Sequence, residues 1–210
     1  MIIEVDEYKK QIPGYDPEKS EAFHSQSAKL ADKDFQKYLK TGKFREVIFM
    51  AGGTASGKTE FAFSYLDKKH QLVYDGTLKN FSGFKIKVSN IKRYAKNNPK
   101  IRVVLVIPED PSKSFGAFLQ RDRKMKNQTF FDTQIRSRVS IAKILKETDF
   151  AVDVYVSRVF SDSDKLDFIK LSMRGIGRFG MAKSLILSSK KILNMAKING
   201  LDFDIDFDNI

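Results

Sequence analysis

Gly52-Gly53-Thr54-Ala55-Ser56-Gly57-Lys58-Thr59 fits the pattern GxxxxGK[ST], with Gly52, Gly57, Lys58 and Thr59 in the defining places. Val47-Ile48-Phe49-Met50-Ala51, just before it, is an apolar run that reads as a buried strand. Glu60 to Leu66, just after it, reads as the opening of a helix. In that setting Gly52 to Thr59 would form a phosphate-binding loop. Glycines let backbone N–H groups turn inward around an anion, and the helix N-terminus adds partial positive charge. Lys58 would reach the terminal phosphates and the Thr59 hydroxyl would ligate a metal ion. A Gly-rich strand-to-helix turn could carry Lys-Thr by accident, but strand, loop and helix here stand in the required order.

The whole chain sets the bounds around that loop. Its 210 residues, 41% hydrophobic and 30% charged, suit one globular domain with a sizeable core. Cysteine is absent, so disulfides and thiolate metal sites are excluded, and a cytoplasmic location is expected. Met1 to Glu7 shows neither the basic start nor the apolar length of a signal peptide. No run approaches the roughly 18 apolar residues that span a bilayer. With 38 Lys+Arg against 26 Asp+Glu, the net charge of +12 suits an anionic partner or a lysine-rich surface, and does not choose between them.

Around the loop, strands are expected at residues 2–5, 47–51, 71–74, 101–107 and 152–156, alternating with helices. The helices are read at 18–39, from Lys58 to about 69, at 83–97, from Pro111 to about Lys124, and at 135–147. Residues 125–134 are polar and read as a loop. This alternation predicts an α/β fold, a three-layer sandwich with a mostly parallel sheet of about five strands and helices on both faces. Residues 1–160 would be the main domain, split into a unit over 1–42 and a core over 43–160. Residues 161–210 would be a helical appendage, with helices at 164–170 and 181–197 and an acidic tail. Gly175-Ile176-Gly177-Arg178-Phe179-Gly180 matches GxGxxG in letters, but with no strand expected before it the sequence reads as an interhelical loop. Leu201, Phe203, Ile205 and Phe207 alternate with aspartates, as in an amphipathic edge strand or a loose acidic tail.

Ligands of open α/β sheets collect at the carboxyl ends of the strands. Asp6 and Asp75 each follow a strand and would share that edge with the loop. An acid beside a phosphate loop can hold Mg²⁺, and a second can accept a proton from a substrate hydroxyl; either could equally cap a helix. Arg121 and Arg123 before the polar stretch, and Arg136 and Arg138 after it, suggest either a lid that would close over a triphosphate or a solvated basic face.

Four stretches together resemble the zeta toxin family. Asp6-Glu7-Tyr8-Lys9-Lys10-Gln11-Ile12-Pro13-Gly14-Tyr15 is similar to that family's signature of an Asp, an aromatic, a Lys and a Pro-x-aromatic. Asp75-Gly76-Thr77-Leu78-Lys79 resembles its Glu-Gly-Thr element, with Asp for Glu and Lys for Arg. Ser114 to Arg121 resembles the helix that carries its first lid arginine, Arg136 falls near the second, and the phosphate loop completes the set. The order differs: the family places its phosphate loop first, whereas here the Asp-bearing unit precedes it. Only 17 residues separate Lys58 from Asp75, too few to hold that unit, so a circularly rearranged strand order is expected. The resemblance covers roughly residues 1–158.

The resemblance implies a kinase that uses ATP or GTP with Mg²⁺ to phosphorylate a sugar hydroxyl of UDP-N-acetylglucosamine or a related nucleotide, as the toxin of a toxin–antitoxin pair. It implies Asp6 as the base, and Lys58, Arg121 and Arg136 around the transferring phosphoryl group. Gly52, Gly53, Thr54, Ala55, Ser56, Gly57, Lys58 and Thr59 would bind the nucleotide. Asp32, Asp75 and Thr77 would contact substrate, with Thr59 and Asp75 at the metal. An antitoxin protein is the implied partner. Two alternatives stay open: the same fold with another nucleotide, an antibiotic or a polynucleotide end as acceptor, and a basic nucleic-acid-binding NTPase.

Overall fold

β2 (Glu46–Ala51) occupies the middle of a six-stranded sheet whose order is β1-β3-β2-β4-β5-β6. The structure is a computed structural model and describes residues 1–66, 69–121, 125–159, 166–207 and 210. β1 (Ile2–Glu4), β3 (Gln71–Asp75), β4 (Lys100–Pro108) and β5 (Ala151–Val159) run parallel with β2. β6 (Leu166–Lys170) closes one edge antiparallel to β5.

The register fixes where the loops emerge. Glu4 of β1 and Met50 of β2 both pair with Asp75 of β3, and Ala51 pairs with Leu105 of β4. The carboxyl ends of β1, β2 and β3 are therefore level. Val5 N–H donates to the Asp75 carbonyl at 3.2 Å, extending the pairing up to Asp6. The first strand lies alongside the third although some 70 residues separate them in the chain.

Period-two alternation sends successive strand residues to opposite faces. Val47, Phe49, Leu72, Tyr74, Val103 and Leu105 face the larger core, built with α1 (His24–Thr41), α3 (Phe81–Tyr94) and α5 (Asn127–Glu147). Phe49 contacts Phe35, Tyr74 and Phe84, so one aromatic cluster ties strands to two helices. Ile48, Met50, Val73, Val104 and Val106 face the other side, against Phe61 and Ala62 of α2 (Lys58–Tyr65). A third cluster joins α4 (Pro111–Leu119), the start of α5 and the end of α6 (Gly177–Ile198) through Phe118, Phe130, Phe131 and Ile192.

Several sequence expectations are corrected here. The sheet has six strands rather than five, because residues 166–170 form β6, not a helix. Phe168 stands edge-on to Phe61 and Tyr65 while the backbone pairs with β5, and that pairing overrides the helical spacing of Leu166 and Ile169. The polar stretch 125–134 is not a loop: its residues from Asn127 onward are the first turns of α5. Phe130 and Phe131 there are fully buried among Phe115 and Phe118, which supplies the packing that polar neighbours hide in the sequence.

The C-terminal segment is part of the body of the protein. Met181, Ala182 and Leu185 of α6 belong to the main core. A strand does precede the GxGxxG letters, but it is an antiparallel edge strand and no βαβ unit surrounds them. Arg178, inside that motif, donates to the carbonyls of Leu145, Ile144, Thr148 and Phe150, closing the C-terminal end of α5. Leu201, Phe203, Ile205 and Phe207 pack on the third cluster as an irregular strap, not as an edge strand, and the aspartates between them are exposed. No helix among the described residues is long and apolar enough to cross a membrane.

Candidate active site

A cleft of about 400 Å³ opens at the carboxyl ends of β1, β2 and β3. Its walls bring together Asp6, residues 54–59 of the Gly-rich loop, Asp75, Thr77 and Arg121. Asp6 arrives from β1, Lys58 and Thr59 from the start of α2, Asp75 from the end of β3. Asp6 and Asp75, distant in the chain, thus meet in one cavity.

The loop is held by its own lysine and by side chains from α4, α5 and β5. Four consecutive carbonyls, those of Gly53, Thr54, Ala55 and Ser56, each accept a hydrogen bond from a side chain. The donors are Lys58 Nζ at 3.1 Å, Gln134 Nε2 at 2.9 Å, Ser114 Oγ at 2.7 Å and Ser157 Oγ at 2.9 Å. The Thr54 N–H is engaged as well, donating to Thr133 Oγ1 at 3.0 Å, so α5 holds both the N–H and the carbonyl of Thr54. Gly52 has φ +138°, and a Cβ there would lie 2.3 Å from the Val106 carbonyl oxygen; one on Gly53 would lie 2.3 Å from Gln134 Cδ. Glycine is the residue those two positions admit. They support the loop and do not line the cleft. Ser56 Oγ is buried and has no hydrogen-bond partner among the described residues, a polar atom that a phosphate oxygen would satisfy.

Thr59 Oγ1 donates to Asp75 Oδ2 at 2.8 Å. Asp75 is buried, and burial raises its pKa above the usual carboxylate range, opposed by the nearby Lys58 charge and the Thr59 hydrogen bond. Hydroxyl and carboxylate side by side are hard oxygen ligands of the kind Mg²⁺ takes, with water and phosphate oxygens supplying the rest. Among the described residues no cluster of three or more His, Cys, Asp or Glu forms a self-sufficient metal site. The donor set fits a cation brought in with a phosphate.

Asp6 is tied at one carboxylate oxygen. Lys9 Nζ, almost fully buried, stands 2.8 Å from Asp6 Oδ1 and donates to Ser20 Oγ at 3.0 Å. The Asp6 side chain itself stays 40% exposed, facing the cleft. Asp32 lies behind the wall: its Oδ1 accepts from Tyr74 Oη and from Lys87 Nζ, both at 2.6 Å, and those two residues line the cleft while Asp32 does not. Arg121 is in the wall, just past the end of α4 rather than on it. Arg123 lies outside the described residues.

Arg136 is not brought into the cleft. It sits on α5, where its Nε donates to Asp132 Oδ1 at 2.6 Å and its Nη2 to the Asp204 carbonyl at 3.4 Å. Asp132 also takes Lys79 Nζ at 2.8 Å, so Arg136 is one ion pair removed from a wall residue. Arg138 is buried and turned toward Gln134.

Sequence reasoning missed part of the cleft wall. His24 at the head of α1, and Asn80, Gly83, Phe84 and Lys87 of the α3 region, line it. The last four recur at i, i+3, i+4 and i+7, one helix face, so their grouping was legible once α3 was placed. Ala55 and Leu78 are the non-glycine residues with positive φ among those described, at 60° and 48°, and both lie in the cleft wall. Backbone strain gathers at functional loops. Compared with family models and with curated proteins, the sequence matches neither a family model nor a curated protein.

Proposed function

We propose that the chain is a P-loop phosphotransferase of the zeta toxin type, moving the γ-phosphoryl group of ATP or GTP to a hydroxyl of a nucleotide sugar such as UDP-N-acetylglucosamine. The observation that carries this reading is the pairing of β1 with β3, which sets Asp6 in the same cleft as Lys58, Thr59 and Asp75. A bare nucleotide binder has no need of a second, partly exposed carboxylate facing the phosphate loop. β1 comes first in the chain and runs parallel beside β3, which is compatible with the rearranged connection the resemblance requires.

In this reading the acceptor hydroxyl lies between Asp6 and the terminal phosphate. Its oxygen forms the new P–O bond as the bond to the β-phosphate oxygen breaks. The hydroxyl proton passes to Asp6, and the nucleoside diphosphate leaves with the electron pair of the broken bond. Lys58, now on the Gly53 carbonyl, turns to the transferring group, joined by Arg121. Mg²⁺ held at Thr59 and Asp75 would neutralise charge on the phosphates. The role carried over to Arg136 requires its pair with Asp132 to open, and Lys79 is the nearer cation.

Incubation with ATP or GTP, Mg²⁺ and a panel of nucleotide sugars, nucleosides, antibiotics and polynucleotide ends, read by mass spectrometry, tests the proposal. A gain of one phosphate on a nucleotide sugar is expected. Transfer to another acceptor would keep the chemistry and replace the substrate. No transfer to any acceptor, with nucleotide still bound, would reduce the site to nucleotide binding alone. An antitoxin partner follows from the same reading.

A further inference from the structure

The strongest unexplained group outside the cleft is the Arg138 guanidinium. It is 1% exposed, pairs with no carboxylate among the described residues, and its Nε has no hydrogen-bond partner there. Burial alone lowers its pKa to about 9. Desolvating a guanidinium with no carboxylate beside it is costly, so its hydrogen bonds must account for an arginine here.

Arg138 Nη1 donates to Gln134 Oε1 at 2.7 Å and to the Gln134 carbonyl at 2.6 Å. A guanidinium has donors only, so the Gln134 atom facing it must be the amide oxygen. The other end of that amide, Nε2, is then forced toward the Thr54 carbonyl, where it donates at 2.9 Å. Reversal of the amide would set two oxygens against each other at Thr54. Gln134 also fills the space a side chain on Gly53 would take. We propose that Arg138 is a positioning residue for the phosphate loop: it touches no substrate, and it acts by locking the Gln134 amide in the one orientation that holds the Thr54 carbonyl outward.

That the loop's ligand is a nucleotide rests on the reading above; the positioning role does not. The test compares wild type with Arg138→Met, Arg138→Lys, Gln134→Leu and the double variant Arg138→Met/Gln134→Leu. Three readouts are taken: Mg·ADP affinity by calorimetry, melting temperature, and hydrogen exchange of a peptide spanning residues 52–59 without nucleotide. Arg138→Met is expected to bind Mg·ADP about tenfold more weakly, the scale seen when a supporting partner of a binding group is removed. Its loop amides are expected to exchange faster than any fall in melting temperature accounts for, since Gln134 Oε1 loses its donor. Arg138→Lys, which keeps a donor, should restore most of the affinity. The double variant should bind no more weakly than Gln134→Leu, since one residue acts through the other. Unchanged affinity and exchange in Arg138→Met, additive losses in the double variant, or an affinity loss that merely follows a lowered melting temperature would each overturn the assignment. If wild type itself bound no nucleotide, the kinase reading would fall, and the exchange measurement alone would decide the role of Arg138.

Discussion

Asp75 is a carboxylate buried at the end of a strand, with its pKa raised by desolvation. A group with a raised folded pKa contributes stability while protonated and loses it as pH climbs through that folded value. The protein without metal should therefore lose stability as pH rises from the usual aspartate range near about 4 through the raised value. Asp75→Asn keeps an acceptor for Thr59 and removes the ionisation. It is expected to melt higher than wild type at neutral pH in EDTA, with a flatter pH profile, and to lose metal-dependent activity. Thermal melts across pH check the sign; a variant that melted lower at neutral pH would contradict it. Asp6 and Lys58 divide differently. Asp6→Asn is expected to cut turnover by about 10² or more, the scale of a lost general base, with Mg·ADP affinity nearly unchanged. Lys58→Ala is expected to weaken both, and calorimetry beside a transfer assay separates the two patterns.

Elements differ in how far their sequence disclosed them. β1, β2, β3 and the loop were legible because a short apolar run followed by Gly or Asp is itself the physical cause of a buried strand that ends in a turn. The first turns of α5 were not. Asn127, Gln128 and Thr129 look like loop, and Glu21 from a distant 3-10 turn organises that helix start, accepting from Lys126 N–H and the Thr129 hydroxyl. β6 was hidden for a related reason: β5 precedes it closely in the chain, but Phe61, against which Phe168 packs, lies far from it. The cleft itself was half legible: Asp6, Lys58, Thr59, Asp75, Thr77 and Arg121 meet there, whereas Arg136 is drawn off by Asp132, a neighbour one helical turn away. α6 permits a direct check on how deeply the C-terminal segment is built in. Leu185 is 2% exposed within the main core. Leu185→Ala is expected to cost about 2–5 kcal/mol in a denaturant titration, where an independent appendage would leave the main transition unmoved.

At the scale of the whole molecule, charge is unevenly spread. Residues 76–108 hold eight Lys or Arg and no acid, although Lys79, Lys87 and Arg102 reach Asp132, Asp32 and Glu46 elsewhere. A net charge of +12 should speed the arrival of a nucleotide anion. Stopped-flow association of a fluorescent ADP is expected to slow several-fold between about 0.05 and 0.5 M NaCl, as the screening length shrinks from roughly 14 to 4 Å, with dissociation little changed. A steep salt-dependent affinity for RNA or DNA would instead favour the nucleic-acid reading.

The three-residue β1 at the rim of the sheet has one further consequence. Short margins peel away at lower free energy than the interior, and here the margin carries the carboxylate while the central strands carry the phosphate cradle. If the proposed phosphotransfer is right, warming should thus produce a form that still grips nucleotide yet has gone catalytically silent, with inactivation running several degrees ahead of the main melting transition.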